Sequence, residues 1–159
     1  MATVSVSGAA AGKGVGEGSK APAVSAKSID GKKLSWKALL KKHKVIVVDF
    51  WAEWCEPCKE EVPFLNKLYK KHKKDGLLVI GINIDKTEKK MNAFLDGKKI
   101  AFPIVHDAKA KFVKKYNPPK MPTSYIIDSE GKVRHMHAGF HLSKDGKKMK
   151  KEIKKLLKD

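Results

Sequence analysis

The stretch Val47–Pro63, VVDFWAEWCEPCKEEVP, holds both cysteines of the chain, Cys55 and Cys58, with Glu56 and Pro57 between them. Its start belongs to a run of β-branched and aromatic residues, KVIVVDFW, of the kind buried on both faces of a parallel sheet. Beyond Cys58 the apolar positions Val62, Leu65, Leu68 and Tyr69 recur at helical spacing as far as KKHKKDG, where Gly76 is placed to cap the helix. LLVIGINI then predicts a second buried strand. Strand, helix and strand in that order make a right-handed βαβ unit with a parallel sheet, and the cysteines fall at its first joint.

On the N-terminal side, APAVSAKSIDGKKLSW alternates around Asp30-Gly31, a hairpin signal. On the C-terminal side the pattern predicts a helix near Glu88 to Leu95, a short AFPIV strand and a helix near Ala108 to Tyr116. SYIID and KVRHMHA, joined by Ser129-Glu130-Gly131, read as a second hairpin. The chain closes on an amphipathic helix whose stripe, Met149, Ile153, Leu156 and Leu157, is suited to covering a sheet. Residues 1–18, rich in Gly, Ala and Ser, read as a disordered arm, leaving residues 19–159 as one domain. That arm lacks the charged start and apolar centre of a signal peptide, and no window approaches the ~20 apolar residues of a membrane span.

With 159 residues and 42% hydrophobic content, the chain is long enough for one core. Its 35 Lys and Arg against 17 acidic residues give a formal charge of +18, yet Arg134 is the single arginine. Bidentate reading of phosphates and bases is arginine's strength, so the charge reads as a solvated lysine surface rather than a specific nucleic-acid site.

Two cysteines at this spacing admit three uses. A zinc site needs two further ligands and there is no second cysteine pair. A staple across so tight a loop stabilises least. Dithiol exchange fits best. Cys55 would open the helix, where the positive helix end favours thiolate, and Cys58, one turn on, could attack a mixed disulfide made by an exposed Cys55. Pro57 suits the first helical turn, and Pro63 would kink the helix. Asp49, a carboxyl in an apolar strand, should have a raised pKa and could exchange a proton with Cys58; Glu61, one turn beyond Cys58, competes for that role with a reading as surface charge. Glu56 opposes extreme thiolate stabilisation and tilts the pair toward a reducing potential.

These motifs carry a family resemblance. VVDFWAEWCEPCK resembles the thioredoxin-superfamily active site. GSKAPAVSAKSIDGKKLSWKALL, WCEPCKEEVP, FPIVHD, MPTSYIIDSEGKV and HAGF, in that order over residues 19–159, resemble the TlpA/ResA/DsbE branch of thiol-disulfide oxidoreductases. The resemblance implies an α/β thioredoxin-like fold: a central mixed sheet flanked by helices, an N-terminal β-hairpin and an element inserted after the βαβ unit. It makes Cys55 the nucleophile and Cys58 the resolving thiol, with Trp54, Glu56 and Pro57 supporting them. Pro122 takes the place of the family's cis-proline, with Met121 and Thr123 beside it on the substrate side, where an extended substrate strand could pair. Glu61 stands where the ResA-like branch carries an acid and Asp49 where thioredoxins carry theirs; having both departs from either pattern.

The implied activity is reduction of protein disulfides, in cytochrome c maturation or a related redox-homeostasis pathway. No cofactor is implied beyond the Cys55–Cys58 disulfide. The expected partners are disulfide-containing proteins and an upstream thiol reductant, met by a monomer without specific nucleic-acid binding. The expected place is extracytoplasmic, with a signal or membrane tether missing from this chain; a cytoplasmic member is the alternative. Two other readings compete. Thiol peroxidase chemistry wants Thr or Ser three residues before the cysteine, where Ala52 stands, and a nearby arginine. A metal-handling module could use His135, His137 and His141 of HMHAGFH, since His135 and His137 share a strand face. His43, His72 and His106 read as surface or loop residues.

Overall fold

A computed structural model describes residues 14–159. A small antiparallel hairpin, β1 (Ala26–Lys27) and β2 (Lys33–Leu34), turns at Asp30-Gly31 as predicted and leads into α1 (Trp36–Lys42). β3 (Val45–Trp51), α2 (Cys58–His72), a 3-10 turn (Lys73–Asp75) and β4 (Leu77–Asn83) form the βαβ unit, with β3 and β4 parallel. The inserted part comprises α3 (Glu88–Leu95), β5 (Ile104–His106) and α4 (Lys111–Tyr116). β6 (Thr123–Asp128), β7 (Val133–Ala138) and α5 (Leu142–Lys158) complete the chain. The five-stranded sheet runs β5-β4-β3-β6-β7; β6 is antiparallel to both of its neighbours, so the sheet is mixed.

Every residue of β3 and β4 is buried, which is why these runs are apolar on both faces rather than alternating, with Asp49 and Asn83 the exceptions. Val45, Val47 and Trp51 face α2 and α5, packing with Val62, Leu65, Leu68, Met149 and Ile153. Ile46, Val48 and Phe50 face the other way, toward Trp36, Phe112 and Tyr116. Gly76 ends the 3-10 turn at φ 108°, a left-handed conformation that glycine adopts without a Cβ clash. Gly81 has a packing reason instead: a Cβ there would lie 2.9 Å from the Phe102 ring and 3.0 Å from the Trp51 indole nitrogen.

The structure corrects three expectations. The domain begins earlier than Ser19: the Val15 amide donates to Tyr116 O at 3.0 Å and the Gly18 amide to Val133 O at 2.8 Å, so residues 15–18 pair with the domain, while residues 1–13 of the predicted arm lie outside the described residues. α2 begins at Cys58, with Pro57 as its N-cap, rather than at Cys55, and it continues unbroken through Pro63. His72 is buried, because it continues the apolar stripe of α2, and its Nδ1 meets Asp75 at 3.1 Å; His106 lies on β5 and its Nε2 contacts Asp85 O at 2.7 Å.

Candidate active site

Cys55 and Cys58 form a disulfide, Cα–Cα 5.3 Å, where the chain leaves β3 and enters α2. The connecting loop is held from beneath by the residues that follow β4. The Ile84 amide donates to Trp51 O at 3.0 Å, and the Glu53 amide donates to the carboxylate of Asp85 at 2.9 Å. Asp85 is itself fixed by the Asn83 side-chain amide at 2.8 Å. Residues 56–58 make the first turn, Pro57 at φ −61° as its ring requires, with the Glu60 and Glu61 amides both donating to Pro57 O at 3.1 Å.

Access to the two sulfurs differs less than predicted: Cys55 is 3% exposed and Cys58 0%. Burial of Cys55 follows from its loop being folded onto the core face shared with Trp51, Ala52 and Val62. Trp54 beside it is 62% exposed, a large apolar side chain presented to solvent next to the disulfide. Glu56 is exposed and ion-paired with Lys59 at 2.9 Å, which offsets part of its charge at the helix start.

Across from this loop, the Met121–Pro122 peptide bond is cis. Pro122 is buried and Met121 half-buried against the core; Thr123 is buried, its hydroxyl donating to Lys120 O at 2.6 Å. Met121 precedes β6, whose ladder with β3 starts at Thr123, so it stands outside the sheet's own pairing.

Asp49 and Glu61 are both fully buried on the α2/α5 side of the sheet, and neither carboxyl has a hydrogen bond of normal geometry. Loss of hydration pushes Asp49 up to about 7, with interaction with the Glu61 carboxyl holding it from rising further. Glu61 is raised well above the usual carboxylate range by burial, then by Asp49 and by Asp145 of α5. Glu61 was legible as a buried residue: Cys58, Glu61, Val62, Leu65 and Leu68 form one helical stripe, and the surface reading ignored it.

Residues the sequence did not single out complete the surroundings: Asp85 under the loop, Ser124 on β6, Asp145 and Glu152 on α5. His135 and His137 do share a face of β7, but both meet Glu152, His137 Nε2 at 2.6 Å and His135 Nδ1 at 3.2 Å. His141 is exposed at the start of α5, its backbone amide bonded to Asp145 at 2.6 Å. Among the described residues no group of three or more His, Cys, Asp or Glu is arranged to hold a metal ion.

Comparison with known proteins agrees with this geometry. Residues 17–136 match the model of the AhpC/TSA family. The thiol-disulfide oxidoreductase ResA of a Bacillus cereus strain is 36% identical over 116 residues, 73% of this chain and 66% of the relative. The thioredoxin-like protein YneN of Bacillus subtilis is 37% identical over 135 residues, 83% of this chain and 77% of the relative. A Chlorobium tepidum crystal structure assigned to the thiol:disulfide interchange protein DsbE superposes with a TM-score of 0.82 at 30% identity, covering 90% of this chain and 99% of that one. The chain belongs to the AhpC/TSA family, as a thioredoxin-fold protein related to ResA, YneN and DsbE.

Proposed function

We propose that the protein is a thiol-disulfide oxidoreductase that reduces disulfides in other proteins. The observation that carries this reading is a bonded Cys55–Cys58 pair at the β3–α2 joint with a neutral-range acid, Asp49, buried on the same side of the sheet. In the reduced protein, the Cys55 thiolate attacks a substrate disulfide, forming a mixed disulfide and releasing one substrate thiolate. Cys58 then loses its proton to Asp49, its thiolate attacks the Cys55 sulfur, and the second substrate thiolate leaves. Two electrons pass to the substrate and the Cys55–Cys58 disulfide is restored. A base that titrates near 7 is matched to that proton transfer at neutral pH, and Glu61, its own carboxyl raised well above the usual range by burial and by Asp49, is its buried neighbour. Exposed Trp54 and the Met121–Pro122–Thr123 segment would receive the substrate chain.

Reduction is favoured over oxidation because Glu56 at the helix start opposes thiolate stabilisation. Equilibration in glutathione buffers should place the pair nearer the ~−270 mV of thioredoxin than the ~−120 mV of DsbA. A value above about −180 mV would overturn the reductant direction. The similarity to ResA and DsbE supports a place in cytochrome c maturation or a related pathway with an upstream thiol reductant; an extracytoplasmic location is part of the same proposal and is not drawn from those relatives. Peroxidase chemistry is disfavoured: Ala52 offers no hydroxyl, and Arg134 lies beside Asp128 at 3.4 Å, at the end of the sheet remote from the cysteines.

A further inference from the structure

The acid that serves Cys58 is sealed from solvent, so its proton needs a route out. Asp49 stands directly opposite Ser124 in the β3–β6 ladder, and Ser124 directly opposite His137 in the β6–β7 ladder. Residues paired across strands point to the same face, so these three side chains form one row on the side covered by α2 and α5. Between the strand ends that face is otherwise apolar, with Val45, Val47 and Trp51 on β3, Leu77 and Val79 on β4 and Ile126 on β6, while its polar members at the ends, Asn83 opposite Trp51 and Asp128 opposite Val45, have hydrogen-bond partners of their own. Within the row, Asp49 and Ser124 are 0% exposed, and both Asp49 oxygens and the Ser124 hydroxyl lack a hydrogen-bond partner. Buried polar atoms left unpaired are costly, which sets this row apart from ordinary packing. At its outer end His137, 8% exposed, holds Glu152 of α5 at 2.6 Å, and the same carboxylate holds the more exposed His135 at 3.2 Å.

We propose that Asp49, Ser124, His137, Glu152 and His135 form a proton relay linking the buried acid on Cys58's side of the sheet to solvent at the outer strand. The inference rests on the oxidoreductase reading and assigns Ser124 and His137 as positioning residues for its second step. When the Cys58 S–H bond breaks, its proton goes to the Asp49 carboxylate. Asp49 ionises again by giving a proton to the Ser124 hydroxyl, which passes its own on to the His137 imidazole. Hydroxyl and imidazole can each accept a proton on one side and release one on the other. Glu152 and His135 hand it to water, and no electrons move. Opposed Cβ atoms lie roughly 4.5–5.5 Å apart, a gap that a rotated hydroxyl or one bridging water spans. The charged and titratable groups facing the row are Glu61 from α2, Asp145 and Glu152 from α5, and His135 from β7. β6 contributes only a hydroxyl. That arrangement puts carboxyl groups at the inner end and a carboxylate held between two imidazoles at the outer end.

The test is single-turnover resolution of a preformed Cys55 mixed disulfide from pH 6 to 9, with iodoacetamide labelling of Cys55 as the control for the first step. Ser124→Ala and His137→Gln should each slow resolution about tenfold, with Cys55 labelling unchanged and with the lost rate recovered as imidazole buffer is raised. Ser124→Thr, which keeps the hydroxyl, should retain the wild-type rate and pH profile. Wild-type resolution without buffer dependence in both Ser124→Ala and His137→Gln would overturn the relay, as would equal slowing in Ser124→Ala and Ser124→Thr, which marks a packing effect. Should His137→Gln fail to fold for want of its Glu152 contact, the two Ser124 variants decide. A wild-type protein that forms no mixed disulfide at all would instead overturn the oxidoreductase reading, and the relay with it.

Discussion

Asp49 on β3 and Glu61 on α2 face each other in a space closed to solvent, near enough for each to alter the other's proton affinity without an aligned hydrogen bond. Such a pair titrates jointly, and loss of one proton makes loss of the second harder.

The first consequence is thermodynamic. Asp49 holds its proton in the folded oxidised protein up to about pH 7, whereas an unfolded chain releases it near 3.8. Over that window the native state binds more protons than the unfolded one, so stability should fall as pH rises from about 4 to 7. Asp49→Asn should remove that part of the slope and be more stable than wild type at pH 8, on the order of 3 kcal/mol. Urea denaturation of the oxidised proteins at pH 5 and pH 8 measures both; equal slopes in the two proteins would show that Asp49 ionises normally.

A kinetic consequence separates the two acids. Asp49→Asn should slow attack by Cys58 on the mixed disulfide at least about tenfold at pH 7, with attack by Cys55 unchanged. Glu61→Gln should keep most of the rate, because it leaves a polar group of the same size beside Asp49; Glu61→Leu should move the pH inflection upward, since the interaction with Glu61 holds Asp49 down. Slow resolution in Glu61→Gln together with a normal rate in Asp49→Asn would exchange their roles.

Order of attack is open to direct chemical reading. Alkylation of the reduced protein below neutral pH should modify Cys55 before Cys58, which is fully enclosed. Cys58→Ser should accumulate a mixed disulfide with a protein substrate and Cys55→Ser should accumulate none. Equal labelling of the two thiols would contradict the assignment.

At the N-terminus, removal of residues 1–18 should cost about 1–2 kcal/mol more than removal of residues 1–13, because Val15 and Gly18 each give a backbone hydrogen bond to the domain and Val15 packs against its core. Paired melts of the two truncations report the difference, and identical melting would return the domain edge to Ser19.

How much of this could be read in the sequence depends on how far apart the deciding residues lie. β3, α2 and β4 were legible because their periodicities are local, and the cysteines fell at the predicted joint. The cis bond at Pro122 followed from family resemblance and not from anything in KMPTSY itself. Glu61 had a local signal, its place in the Cys58–Val62–Leu65 stripe, which speaks for the reading beside Cys58 and against the competing one as surface charge. The row from Asp49 to His137 had none. It exists only through the register of β3 on β6, between segments far apart in the chain, and through that of β6 on β7, which an irregularity at Ile126/Ile127 shifts within the hairpin, and Ser124 carries no chemistry until those registers place it. Cys55 proved less accessible than its place before a helix suggested, because exposure depends on how the loop lies against Trp51 and Ala52, which spacing does not encode.

The segment that leads into the first hairpin also has a bearing on association between molecules. β7 is the last strand of the sheet, and an unpaired strand margin is a template on which another chain can add. Here the margin is taken. Gly18 and Ser19 exchange hydrogen bonds with Val133, the Ala21 amide reaches Gly131 O at 2.8 Å, and the Glu17 carboxylate accepts from the Met136 amide at 3.2 Å. Residues first assigned to a tail therefore blunt the sheet against self-pairing, and shortening the chain past Glu17 would expose a sticky border as well as loosen the fold.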